Sequence, residues 1–124
     1  MTLIKESGRT LMKEKKTGEK EYLQVFTTVE KKSDAVKIAD TLVKKRVAGC
    51  VQILGPIKST YWWKGSIEKT QEWLCIIKTQ KFHYNEVENI IKKIHPYEVP
   101  EILAIPVVAG SKDYLKWLDN ELII

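Results

Sequence analysis

Four β-rich runs and three runs with apolar residues at helical spacing divide the chain from residue 21 onward. Residues 22–29 are rich in β-formers and end on Thr27-Thr28, which predicts a first strand. Ser33 is a candidate helix cap, with Asp34 in the first turn. Ala35, Ile38, Ala39, Leu42 and Val43 then follow the i, i+3, i+4, i+7, i+8 spacing of a helix that buries one face. Residues 48–62 predict a second strand, interrupted near Gly55-Pro56, and a short turn at Lys64-Gly65 leads to a third over 66–80. The two form a hairpin far longer than ordinary strands of ~5–6 residues. Residues 82–94 predict a second helix with Tyr84, Val87, Ile91 and Ile94 inside, stopped by Pro96. Residues 101–109 predict a fourth strand, which Pro106 assigns to an edge or a bulge. Ser111 caps a last helix with Asp113 in its first turn and Tyr114, Leu115, Leu118 and Leu122 on its inner face. The order is βαββαβ plus a helix: an α+β, ferredoxin-like sandwich with helices on one face of an antiparallel sheet.

Composition narrows the setting. At 124 residues, 44% apolar and 30% charged, the chain makes one folded domain. The longest apolar run, 102–109, has eight residues and no membrane span is expected. The net charge is +5, but residues 1–20 hold six of the 21 Lys and Arg and three of the 16 Asp and Glu. That leaves 15 and 13, or +2, for residues 21–124. The basic bias belongs mostly to a tail, read as a poorly ordered extension over 1–20, while 21–124 is nearly balanced and gives little support for nucleic acid. The tail lacks the continuous apolar segment of a secretory signal. Cys50 and Cys75 match no zinc spacing and sit in apolar runs, where inert thiols in a reducing, cytoplasmic compartment are expected.

A hairpin of this length projects beyond a sheet whose outer strands are ordinary. Tyr61, Trp62 and Trp63 lie beside its turn and away from the helical layer. Exposed aromatics on open strand edges invite pairing with other chains, so a symmetric homo-oligomer is expected rather than a monomer.

Six segments in order resemble the CutA-type divalent-ion tolerance proteins over residues 22–121. They are Val25-Phe26-Thr27-Thr28, Ala48-Gly49-Cys50-Val51-Gln52-Ile53, Tyr61-Trp62-Trp63-Lys64-Gly65, Ile77-Lys78-Thr79, His95-Pro96-Tyr97-Glu98-Val99-Pro100-Glu101 and Tyr114-Leu115-Lys116-Trp117-Leu118. The resemblance implies a ferredoxin-like fold, a tight homotrimer joined through strand contacts, and a link to copper tolerance and divalent-metal binding. It also implies a copper site of one cysteine and two consecutive histidines. Carried over by position, the cysteine falls on Thr27 and the first histidine on Ile94, and only His95 matches.

Copper(II) favours imidazole donors, so a single placed histidine matters. The topology brings Thr27 and His95 to the same end of the sheet, close to Glu98 and Glu101, and Cys50 to the other end. Two readings of His95 stand: a structural ring at a helix C-terminus, or a metal ligand, with Glu98 and Glu101 serving a hard ion. His83, at a helix start, is expected to be exposed. With Cys50 and His95 apart, no nucleophile and base pair, and no glycine-rich phosphate loop is present, so no enzymatic activity is expected. The third strand also lacks the aromatic motif of RNA-binding sheets. The expected function is divalent-metal binding, copper(II) first, by a homotrimer, with His95 as the candidate metal residue. The alternative is a non-catalytic trimeric scaffold or regulator that binds a small molecule or protein in clefts between subunits.

Overall fold

The computed structural model describes residues 20–123. Apart from Lys20, the expected basic extension lies outside them. Eight residues from Tyr22 to Val29 form β1, and Lys32–Lys44 form α1. β2 (Cys50–Trp63) and β3 (Ser66–Gln80) are the long hairpin, α2 is Tyr84–Ile94, β4 is Leu103–Val107 and α3 is Lys112–Glu121. The sheet order is β2-β3-β1-β4 with every pair antiparallel, as the ferredoxin-like pattern requires. Pro106 does lie on an edge strand, where its missing N–H breaks no interior ladder. Lys64 and Gly65 form the hairpin turn, both at positive φ (50° and 83°), the backbone that suits the right-handed strand twist in two-residue turns.

One face of the sheet is sealed by α1 and α2. Val25, Thr27, Cys75, Ile77 and Thr79 point into that layer and meet Ile38, Leu42, Val87 and Ile91, all buried. Thr79 satisfies its buried hydroxyl by donating to the Val47 carbonyl at 2.6 Å. The opposite face is covered only at one end, where α3 docks. There Asp119 accepts from the Tyr22 hydroxyl at 2.9 Å and from Gln80 Nε2 at 2.6 Å, while Arg46 reaches the Glu121 carbonyl at 2.9 Å. Farther along the same face, Leu54, Leu103 and Ile105 remain exposed.

Local details depart from the sequence reading. Lys31, not Ser33, takes the N-cap position of α1, without a side-chain bond. Ser111 does cap α3, accepting from the Tyr114 N–H at 3.1 Å. Of the residues expected on the inner face of the last helix, Leu118 and, just past the end of α3, Leu122 are buried, while Tyr114 is exposed. A single 3-10 turn, Lys81–His83, precedes α2. His83 is 4% exposed rather than solvated, its ring edge-on to that of Phe82 at 5.1 Å, and its Nε2 has no hydrogen-bond partner among the described residues.

Candidate functional site

His95 follows the last residue of α2, and an extended backbone there swings its ring toward the end of β1. Its Nε2 lies 2.8 Å from the Thr28 carbonyl, which only accepts, so Nε2 carries the proton and donates. Nδ1 then accepts from the Tyr97 N–H at 3.1 Å. Both nitrogens are used, and the ring is held as one neutral tautomer. Burial pushes its pKa below the ordinary histidine value, partly opposed by the Thr28 bond and by the charges of Asp34 and Glu72. Thr27 lies one residue away but points to the helical layer, fully buried, with its hydroxyl unpartnered. Ile94 packs against the core. A metal at His95 must displace the Tyr97 N–H or the Thr28 carbonyl, and neither Thr27 nor Ile94 offers a soft or imidazole donor beside it. Among the described residues no group of three or more His, Cys, Asp or Glu is set to hold a metal ion.

Cys50 pairs with Lys78, which faces Gln24 near the start of β1, whereas Thr28 faces Leu74. The thiol and His95 therefore stand at opposite ends of the sheet, as the topology predicted. Glu98 and Glu101 lie on the loop that leads from α2 to β4, and they belong to a larger feature.

That feature is an open cleft of about 580 Å³ where the hairpin leaves the sheet. β1 stops at Val29, opposite Trp73, while β3 has already run from Ser66, so the outer hairpin has no third strand beside it. The loop at 97–101 and Glu30 fill part of that space and form one wall. The other wall depends on a β-bulge. Leu54 pairs with Leu74 and Ile57 with Glu72, so Gly55 and Pro56 together oppose Trp73. Before the bulge, odd-numbered Val51 and Ile53 sit opposite Ile77 and Cys75 and face the helices. After it, odd-numbered Ser59, Tyr61 and Trp63 sit opposite even-numbered residues of β3 and share the face of Glu72. One extra residue thus turns Tyr61 and Trp63 away from the helical layer and into the cleft.

Four carboxylates line it: Glu30, Glu72, Glu98 and Glu101. Glu72 is only 5% exposed and accepts from the Tyr97 hydroxyl at 2.7 Å. Burial, then that bond and the Glu72 charge, push the Tyr97 phenol far up, so it stays a donor. Burial and the Glu72 charge raise Glu101 above the usual carboxylate value. The Lys64 ammonium stands at the rim, 3.9 Å from Glu98 Oε1 and 5.5 Å from the centre of the Trp63 ring. Sequence reasoning singled out Glu98, Glu101, Tyr61 and Trp63, and missed Glu30, Glu72 and Tyr97. Glu72 and Tyr97 are 25 positions apart, and only the bulge at Gly55-Pro56 hinted that the strand changes face there.

A ferredoxin-like α+β fold with an overlong bulged hairpin and a carboxylate-lined cleft at its base is the class these features define. The model of the CutA1 divalent ion tolerance proteins matches residues 23–121, and the chain belongs to that family. It is 40% identical over 96 residues to the divalent-cation tolerance protein CutA of Archaeoglobus fulgidus, covering 77% of this chain and 93% of that one. It is 36% identical over 96 residues to the chloroplastic CutA 1 of Oryza sativa, covering 77% of this chain but 54% of the plant protein. The chain thus matches about half the length of that relative. The solved divalent cation tolerance protein of Thermus thermophilus superposes with a TM-score of 0.79 at 37% identity, covering 82% of this chain and 98% of that one.

Proposed function

We propose that this chain serves divalent-cation tolerance as a non-catalytic, cytoplasmic homotrimer that takes up divalent metal, copper(II) first, at the His95 end of the sheet. One observation carries the assembly. The sheet face opposite the helices exposes Leu54, Leu103 and Ile105, and both strand edges, β2 and β4, lack a neighbour among the described residues. Free edges next to an open apolar face are what strand-mediated oligomers cover. Family membership supports the metal as cargo, and Glu98 and Glu101 on the loop after His95 are its candidate oxygen donors. Two unpaired cysteines support a reducing compartment.

A second reading, a trimeric scaffold that binds a small molecule, is favoured by the engagement of both His95 nitrogens. Sedimentation velocity across a hundredfold range of concentration should show a trimer; a monomer throughout would sink the assembly. Calorimetric titration with copper(II) of wild type and of His95→Ala and Glu101→Gln separates the two readings. Saturable binding weakened by either substitution supports metal uptake at this end, and no saturable binding leaves the scaffold.

A further inference from the structure

Beyond the carboxylates that follow His95, the cleft has a chemistry that one bare metal ion does not use. Calcium and magnesium require six or more oxygens at about 2.0–2.6 Å around one point. Here four carboxylates are distributed around roughly 580 Å³, a volume typical of small-molecule sites, and they do not converge. Between them stand the aromatic side chains of Tyr61, Trp63 and Tyr97. Among the described residues no lysine or arginine lines the cleft, although the chain as a whole carries +5.

Two further observations specify what the cleft would bind. Glu72 is almost wholly buried, yet only its Oε2 is bonded, to the Tyr97 hydroxyl. Its other oxygen has no partner among the described residues, and the side chain lines the cleft. That oxygen is not sealed from solvent, so it is a free acceptor in the cleft wall, and an ammonium there would gain a charge-assisted hydrogen bond. The second observation is Lys64. Its ammonium already rests between the Trp63 ring and Glu98 at the rim, the aromatic and carboxylate pairing that attracts organic ammonium ions.

We propose that this cleft is a binding site for a small organic polycation, a primary di- or polyamine, with Lys64 at its mouth as a built-in competitor. One ammonium of the ligand meets Glu72 and a second, spaced along an aliphatic chain, meets Glu98 or Glu101. The methylenes between them lie on Tyr61 and Trp63. Glu98 and Glu101 are shared with the metal reading, whereas Tyr61, Trp63 and Glu72 belong to this site alone.

The test is calorimetric titration of the full chain with spermidine and with putrescine at pH 7.5 in 150 mM salt. Saturable binding of one ligand per subunit is expected, with spermidine at least tenfold tighter because it carries one more charge. Trp63→Leu and Glu72→Gln should each weaken spermidine tenfold or more, Lys64→Ala should tighten it severalfold, and Glu86→Gln, outside the cleft, should change nothing. Trp63 is not part of the core, so its variant reports on the cleft even if Glu72→Gln fails to fold. The proposal is overturned if wild type shows no saturable binding, or if Trp63→Leu binds spermidine as wild type does. A parallel copper(II) titration of Trp63→Leu keeps the metal reading apart, since that reading assigns no role to the indole.

Discussion

The two halves of the β2-β3 hairpin are made from the same pair of strands, yet they live in different solvents. In the inner half, Cys75, Ile77 and Thr79 are fully buried beneath α1 and α2. In the outer half, Trp62 is 71% and Ile67 58% exposed, and the one deeply buried side chain is a carboxylate, Glu72. The bulge marks the border. Inside it, side chains are chosen for apolar volume; outside it, the same pleat presents aromatics and acids to a cleft. The stability of the fold is therefore concentrated in one half, and the open surface in the other.

The largest expected effect tests that division directly. Ile77→Ala removes a fully buried side chain from beneath the helices and should cost about 2–5 kcal/mol in a denaturant unfolding curve. Ile67→Ala, on the outer hairpin, should leave the subunit within about 0.5 kcal/mol of wild type. A larger loss for Ile67→Ala that grows on dilution would place that residue in an assembly interface, because association stabilises by mass action. Equal losses at any concentration would break the comparison.

The inner half was far more legible in the sequence than the outer. Periodic Ala35, Ile38 and Leu42 report a helix face because burial on a regular element repeats, and all three are buried. β1 and β3 occur with the predicted bounds, since β-rich runs ended by turns carry the signal themselves. His83 was misread because a single residue in a 3-10 turn has no period to betray its burial. The cleft was only half legible. Tyr61 and Trp63 stood out as aromatics beside a turn, but their facing depends on the bulge, and a one-residue shift of register leaves no mark in composition. The Tyr97–Glu72 bond joins a loop to a strand across 25 positions, a distance at which local pattern is silent.

A substitution at the border should have a smaller effect than one in the core. A Cβ on Gly55 would lie 2.6 Å from the Trp73 ring and 3.2 Å from the Glu72 carbonyl oxygen. The ring is packed against the core and the carbonyl is backbone, so neither yields freely. Gly55→Ala should cost about 1–3 kcal/mol, the usual penalty of overpacking. It should also disturb Glu72, whose own carbonyl meets the added methyl, and so lower cleft occupancy more than Ile77→Ala does in the fraction that remains folded. Wild-type stability in Gly55→Ala, measured by chemical unfolding, would show that the bulge relaxes without strain and that the border is soft.

The smallest effect sits where the two halves touch, at His95, and it is a pH dependence. The ring donates to Thr28 at the end of β1 and accepts from Tyr97, which in turn holds Glu72 in the cleft. Burial lowers its folded pKa below the value of the unfolded chain. Between those two values the unfolded state binds more protons, so stability rises with pH. The contribution is complete above the unfolded pKa of about 6.5 and is lost as pH falls through the folded value. The slope cannot exceed that of one proton. Protonation at Nδ1 also converts the acceptor of the Tyr97 N–H into a donor, so the loop at 97–101 should loosen before the core does. Hydrogen exchange at pH 7.5 and at pH 5.5 should therefore show earlier loss of protection at the Tyr97 amide than at Ile77. In His95→Gln the acid-side loss of stability should shrink, because a carboxamide does not titrate. An unchanged pH profile in that variant would assign the dependence to the cleft carboxylates instead, and would separate the two halves more sharply than the hydrogen bonds through His95 suggest.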